Sequence, residues 1–173
     1  VDDVAAAAGF TKGAVYSHFG SKDELFLAML EGRYSENMAE LERLLDEPGD
    51  PGQHARAAGR EFEAEARADP DWQRVYLEAM LRAMRDDGFR SAFAKRHREM
   101  HDRLSATLAR RLQREGVTPV VPPERLAVVI SALANGILLE TLVSGEGDAA
   151  TDDLFGSALA LLAAGVGGPA SSF

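Results

Sequence analysis

The stretch AAAAGFTKGAVYSHFGSKDELF, residues 5–26, carries the densest local instruction in this 173-residue chain. Small side chains at Ala5 through Ala8 run up to Gly9, where the lack of a Cβ permits a left-handed turn. The pattern predicts a helix over 1–8, a hinge at Gly9 and a second short helix from Thr11 to about Phe19. The alanines before the hinge let the two helices approach closely. Ser21 stands in a capping position and Glu24 follows three residues later, the capping-box spacing that opens another helix. Two short helices around a glycine turn make a helix-turn-helix, whose second helix enters the major groove of DNA.

Outward from that unit, nothing in the chain alternates as a strand would. Ala-, Leu-, Glu- and Arg-rich stretches are punctuated by Gly and Pro, which predicts an all-α protein. The helix opened by Ser21 takes its apolar stripe from Leu25, Met29, Met38, Leu41 and Leu45. Pro48-Gly49-Asp50-Pro51-Gly52 ends it. A helix over about 53–68 follows, and Asp69-Pro70 restarts the chain with a cap and a proline in the first turn. Residues 71–85 are apolar around much of the helix circumference, so burial on several sides is expected. Gly88 reads as the stop of that helix. Residues 89–115 form a long helix ended by Gly116. Residues 124–144 form a strongly apolar one stopped by Gly145, and Thr151 caps a last helix to about Ala164. The tail from Gly165 is Gly- and Ser-rich and reads as frayed.

Composition sets outer limits. With 46% apolar residues a substantial core is available. The chain has no Cys, which removes disulfides and thiolate metal sites and fits a reducing cytoplasm. No run reaches the roughly 18 uncharged apolar residues of a membrane span. The net charge of −9 argues at first sight against a nucleic-acid partner. DNA contact depends on the field of one face rather than on the total.

The short second helix offers Thr11, Lys12, Gly13, Tyr16, Ser17 and His18: donors, acceptors and one small residue that permits close approach. Lys22 stands at the N-terminus of the next helix, where its charge and the free backbone N–H groups form a phosphate site. Each has a plainer reading: Tyr16 as packing, His18 as a solvated helix end, Lys12 as a surface charge. The whole run, with its Tyr-x-His-Phe-x-x-Lys-x-x-Leu core, resembles the signature of the tetracycline-repressor-like (TetR) family almost position for position. The resemblance implies that Val15, Phe19 and Leu25 are core and that Lys12, Gly13 and Ser17 face base edges. It implies that Tyr16, His18 and Lys22 hold phosphates and that Thr11 caps the reading helix. Members of the family carry another helix, usually basic, before this segment. The chain is therefore read as starting at the second helix, with the helix-turn-helix unit incomplete. Residues 1–30 hold two lysines against four carboxylates, a charge of −2, so much of the attraction to DNA must come from that preceding helix.

The resemblance divides the chain into a DNA-binding unit with its connecting helix, 1–46, and a helical effector-binding and dimerisation domain, 47–173. Phe62, Trp72, Tyr76, Met80, Met84, Phe93, His97, Met100 and Asn135 combine bulk, adaptability and a few polar tips, the mixture that lines small-molecule pockets. The alternative for any of them is plain core. His97 and His101 stand four apart on one helix, but no third metal ligand is evident, and no metal or cofactor is expected. Arg110, Arg111 and Arg114 read as a solvated face. The last two long helices carry more apolar surface than one core needs. Leu126, Ile130, Leu133, Ile137 and Leu159 are read as a two-fold homodimer interface. The alternative is a central hairpin buried in a monomer.

These readings converge on a ligand-responsive transcriptional regulator, a repressor released from a palindromic operator DNA by a small-molecule effector. It would be a cytoplasmic homodimer with no membrane association and no catalytic residues. An activator on the same fold stays open. The competing reading is an all-helical small-molecule carrier or enzyme that does not bind DNA; no nucleophile–base pair or phosphate loop supports it.

Overall fold

The computed structural model describes residues 5–6, 9–144 and 152–167. Among them are seven helices of four residues or more and no strand: α1 (Lys12–His18), α2 (Lys22–Asp46), α3 (Pro51–Ala68), α4 (Pro70–Ala83), α5 (Asp87–Glu115), α6 (Pro123–Ser144) and α7 (Leu154–Val166). Ala5 and Ala6 are also helical, and the rest of the helix expected over 1–8 lies outside the described residues.

Local chemistry sets most of the boundaries. Gly9 takes φ +72°; the Phe10 amide donates to Ala5 at 2.8 Å and the Gly9 amide to Ala6 at 3.1 Å. That pair of bonds is a Schellman closure, which needs a left-handed residue. Gly116 repeats it at the end of α5, with φ +67° and the Val117 amide donating to Leu112 at 3.0 Å. The side chains of Thr11, Ser21, Asp50, Asp69 and Asp86 each accept a backbone N–H and so cap α1 through α5. Glu24 reaches back to the Gly20 amide at 2.7 Å, one residue before the N-cap. The turn between α1 and α2 is thereby held from both sides.

Several expectations change. Gly88 does not stop a helix: α4 closes at Met84, and Gly88 sits in the first turn of α5 behind the Asp86 cap. The buried stripe of α2 is Leu27, Leu30 and Met38, whereas Met29 is 45% exposed. Helix α4 is not buried all round: Gln73, Ala79 and Ala83 are buried, while Leu81 and Met84 face solvent. Arg111 and Arg114 are not merely solvated. Arg111 donates to the carbonyls of Leu45 at 2.6 Å, Glu47 at 3.1 Å and Gly49 at 3.2 Å, and Arg114 to Leu45 at 3.0 Å. These guanidinium groups satisfy carbonyls that the end of α2 leaves open. Gly165 and Val166 still belong to α7. The expected stop at Gly145 and cap at Thr151 lie outside the described residues, as does the chain beyond Gly167.

Two clusters make the core. Leu27 and Leu30 of α2 pack with Ala79 and Ala83 of α4 and Phe89 of α5. Farther along α2, Met38 packs with Leu104 of α5 and Ala127 of α6. One helix, following directly on α1, thus runs through both.

Helices α3 and α7 cross at Gly59 and Gly156. A Cβ on Gly59 would lie 2.4 Å from the Gly156 backbone. The contact brings Glu63, 6% exposed, to the start of α7, where its carboxylate accepts the Phe155 amide at 2.6 Å. Asp153 has φ +52° and makes no side-chain cap, so a residue from another helix caps α7.

Helix α6 is long and apolar enough to cross a membrane by length and composition, a point that a count of strictly uncharged residues missed. Here it packs on α5, and its outer face leaves Val128, Val129, Leu139 and Val143 exposed.

Candidate DNA-reading surface and ligand cavity

Helix α1 buries Val15 and half-buries the adjoining Phe19, while Lys12, Gly13, Tyr16 and Ser17 are exposed. Positions 12, 13, 16 and 17 share one face at helical spacing. Beyond Gly13 the nearest neighbour of an added Cβ is Thr11 Oγ1 at 3.9 Å, so the backbone is open there. Thr11 caps the helix by accepting the Ala14 amide at 3.1 Å, and the Ser17 hydroxyl donates to the Ala14 carbonyl at 2.8 Å. His18 is exposed at the helix end, its ring 5.0 Å from that of Phe19. Lys22 opens α2 and is exposed. Next to it, Asp23 is paired by Arg82 of α4 through two bonds of 2.7 Å. One of the carboxylates that burdened the N-terminal charge count is therefore neutralised by a residue far along the chain.

Behind this unit α2, α3, α4, α5, α6 and α7 enclose a cavity of about 400 Å³. Of the pocket residues read from the sequence, Phe62, Trp72, Tyr76, Phe93, His97, Met100 and Asn135 line it. Met80 and Met84 do not. The first half of α4 turns Trp72, Gln73 and Tyr76 to the cavity. Its second half is spent on the core through Ala79 and Ala83, and Met84, its C-cap, is 75% exposed.

The lining also includes residues that sequence reasoning did not select. Tyr34, Gln73 and Ser131 contribute polar tips, and Arg33, Glu65, Arg96 and Arg103 contribute charge. Tyr34 continues the Leu27, Leu30, Met38 stripe of α2, so helical spacing was an available signal for it. Nothing local marks the charged ones. Ile130 and Leu159, read as interface residues, face this cavity. Leu126 is buried within the protomer at 5% exposure, and Leu133 and Ile137 are half-buried. A second cavity of about 330 Å³ shares Phe62 and Leu138 with the first and adds Glu63, Arg67 and Arg74.

The polar groups of the cavity are set by burial. Burial pushes the Tyr76 hydroxyl above its ordinary pKa, opposed by a side-chain hydrogen bond with Asn135. Tyr34 is also shifted upward, mainly by burial, and donates to the Met100 carbonyl at 2.8 Å. His97 is shifted down by burial and, less, by neighbouring His101, so it is neutral at pH 7. Burial raises the Glu65 carboxyl, opposed by Arg33. Arg33 lies 5.8 Å from the centre of the Trp72 ring, and its buried Nε has no partner among the described residues. Charge pairs at the rim join Arg96 to Glu31 and Arg103 to Glu42. Among the described residues no three His, Cys, Asp or Glu side chains cluster as metal ligands.

The arrangement is a mostly apolar chamber with a few oriented polar tips, tied by α2 to a helix with an exposed polar face. Comparison with known proteins agrees. Residues 1–29 match the family model described as bacterial regulatory proteins, tetR family, and residues 51–164 match that of the BetI-type transcriptional repressor, C-terminal. No curated protein matches the sequence. Among solved structures, the TetR family transcriptional regulator PfmR from Thermus thermophilus aligns with a TM-score of 0.53 at 24% identity, over 95% of this chain and 87% of that one. At that identity the likeness speaks for the fold. A family model covering most of the chain, a helix-turn-helix signature and the same all-helical architecture lead to one conclusion: the chain belongs to the TetR family and is a DNA-binding transcriptional regulator.

Proposed function

We propose that the protein is a repressor whose hold on a palindromic operator is released by a small organic effector in the cavity of about 400 Å³. That cavity is the observation that carries the reading. Its walls combine Trp72, Phe62 and Phe93 with the polar tips of Tyr76, Asn135 and His97, suited to an apolar body with one polar end. The match to a BetI-type repressor C-terminal model supports repression over activation.

In this reading residues 1–46 bind DNA and 47–173 bind effector and partner subunit. Lys12, Gly13 and Ser17 read bases, and Tyr16, His18 and Lys22 hold phosphates. Two copies join through α6 and α7 in the cytoplasm. The unpartnered stripe of Val128, Val129, Leu139 and Val143, continued by Leu161 on α7, supplies the apolar surface for that contact. A two-fold pair would set its reading helices about 34–36 Å apart, one turn of DNA.

The test is a titration on the full-length protein. A duplex selected from a random library supplies the operator, and quenching of Trp72, the single tryptophan, reports ligands in a small-molecule screen. Linkage requires duplex and effector to weaken each other by the same factor, about 5–150-fold for a working switch. Equal effector affinity with and without duplex would refute effector-controlled release.

A further inference from the structure

Arg82 stands between the helix-turn-helix unit and the cavity: it bonds Asp23 at the start of α2 and reaches the cavity wall through a chain of rings. Its two terminal nitrogens each donate at 2.7 Å to one oxygen of Asp23, in the first turn of α2 beside Lys22. Its guanidinium lies 4.3 Å above the ring of Phe89. Phe89 stacks on Phe93 at 5.9 Å and Phe93 on His97 at 5.8 Å, with Tyr76 6.4 Å from Phe93. Phe93, His97 and Tyr76 line the cavity. A column of rings therefore runs from the cavity wall to the face of one guanidinium. Tyr76 and Arg82 also share α4, about 9 Å apart along a rigid helix.

The same arginine already holds a second carboxylate by a longer bond. Its Nη2 is 3.4 Å from Asp86, which caps α5 by accepting the Phe89 amide at 3.0 Å and therefore moves with the ring column. A forked guanidinium–carboxylate pair is directional, so a displacement of about 1 Å costs it one of its bonds. The apolar contacts beside it, Leu27 and Leu30 on Ala79 and Ala83, are non-directional and tolerate sliding. The guanidinium, with one carboxylate held closely and another at longer distance, is thus the part of the junction able to take two discrete arrangements, which a transmitted signal requires.

We propose that Arg82 is a two-position latch: it pairs with Asp23 when the cavity is empty, holding α2 and the reading helix in register, and passes to Asp86 when an occupant displaces the ring column. The inference rests on the effector-responsive reading above and assigns Arg82 and Asp23 as positioning residues for it. Neither touches the occupant.

The test replaces the unidentified effector by a side chain. Ala134 lines the cavity, and Ala134→Phe puts a ring into that space. In the full-length protein, with a duplex selected from a random library, Ala134→Phe is expected to weaken binding at least five-fold. With Arg82→Ala, or separately Asp23→Asn, the same cavity filling is expected to change affinity less than two-fold. Asp23→Asn is nearly isosteric, so its loss of response separates a latch from a merely structural role of Arg82. The readout is a ratio within each background, so any shift of baseline affinity from altered charge cancels. Trp72 emission reports the filling in every background, and circular dichroism checks the fold. A five-fold loss that persists in Arg82→Ala and Asp23→Asn overturns the latch alone. Filling seen at Trp72 with no change of affinity in the otherwise wild-type protein refutes the effector-responsive reading itself, and the latch with it.

Discussion

Replacing Gly59 by alanine tests the crossing that holds α7 to the rest of the chain. The added Cβ would sit 2.4 Å from both the Cα and N of Gly156 and 2.9 Å from the Phe155 carbonyl carbon. Carbon atoms settle at about 3.5–4.0 Å, so the helices must part by more than about 1 Å. The neighbours are backbone and cannot rotate away. Overpacking of this kind costs about 1–3 kcal/mol. Separation also stretches the 2.6 Å bond from the Phe155 amide to Glu63, a charge-assisted bond worth about 1.5–3 kcal/mol. Helix propensity opposes the loss, since alanine is about 1 kcal/mol better than glycine in a helix interior. The net expectation is destabilisation by about 3 kcal/mol, which for a chain of this length lowers Tm by roughly 6–12 °C. Gly32 provides the internal control: it lies in α2 with nothing within 4 Å of an added Cβ. Gly32→Ala should raise stability by about 0.5–1 kcal/mol. The assay is thermal unfolding of both variants and wild type by far-ultraviolet circular dichroism. If Gly59→Ala melts at or above the wild-type temperature, the close crossing and the cap it positions are wrong.

Protonation provides a second expectation. The folded protein holds the pKa of His97 below its ordinary 6.5, through burial first and His101 second. The unfolded chain then binds the proton more readily, so this contribution to stability is complete above about pH 6.5 and is lost as pH falls below it. Between pH 7.5 and 5.5 the wild type should lose more Tm than His97→Phe, which keeps a stacked ring and cannot titrate; equal losses would remove His97 from the account. Lys22→Ala should weaken binding of the full-length protein to all duplexes alike and reduce the salt slope by about one unit, whereas Lys12→Ala should alter preference among duplexes. An unchanged salt slope would exclude Lys22 from the phosphates. Leu139→Glu with Val143→Glu places two charges on the exposed stripe of α6, and light scattering should then report monomers; an intact dimer would place the interface elsewhere.

The helix-turn-helix was legible because its determinants are local. A glycine at the left-handed position, a threonine cap, a serine–glutamate pair and the buried Val15 all act within a few residues of one another, and the chain places them as their spacing predicts. Other boundaries were legible for the same reason, through Asp69 and Gly116, whereas Asp50, expected in a loop, caps α3 and starts it at Pro51. Gly88 misled because glycine stops a helix only where the backbone turns left-handed, and here Asp86 had already begun the next one.

Periodicity could say that Phe62, Tyr76 and Met84 are apolar, but not what each faces. One side of α4 serves cavity and core at once, and the division between Tyr76 and Ala79 depends on where α2 and α5 cross it. The same holds for Ile130 and Leu159, whose apolar character fits a dimer face or a cavity wall equally well until the neighbouring helices are in place. The sequence alone determined the helical class, the short helix after Gly9 and the family, since these depend on interactions within one or two turns. Only the tertiary structure decided that Arg82 meets Asp23, that Glu63 caps α7 and that Arg111 closes α2. Those pairs join residues 59, 92 and 66 positions apart, and a charged side chain carries no mark of a partner that only folding brings within reach.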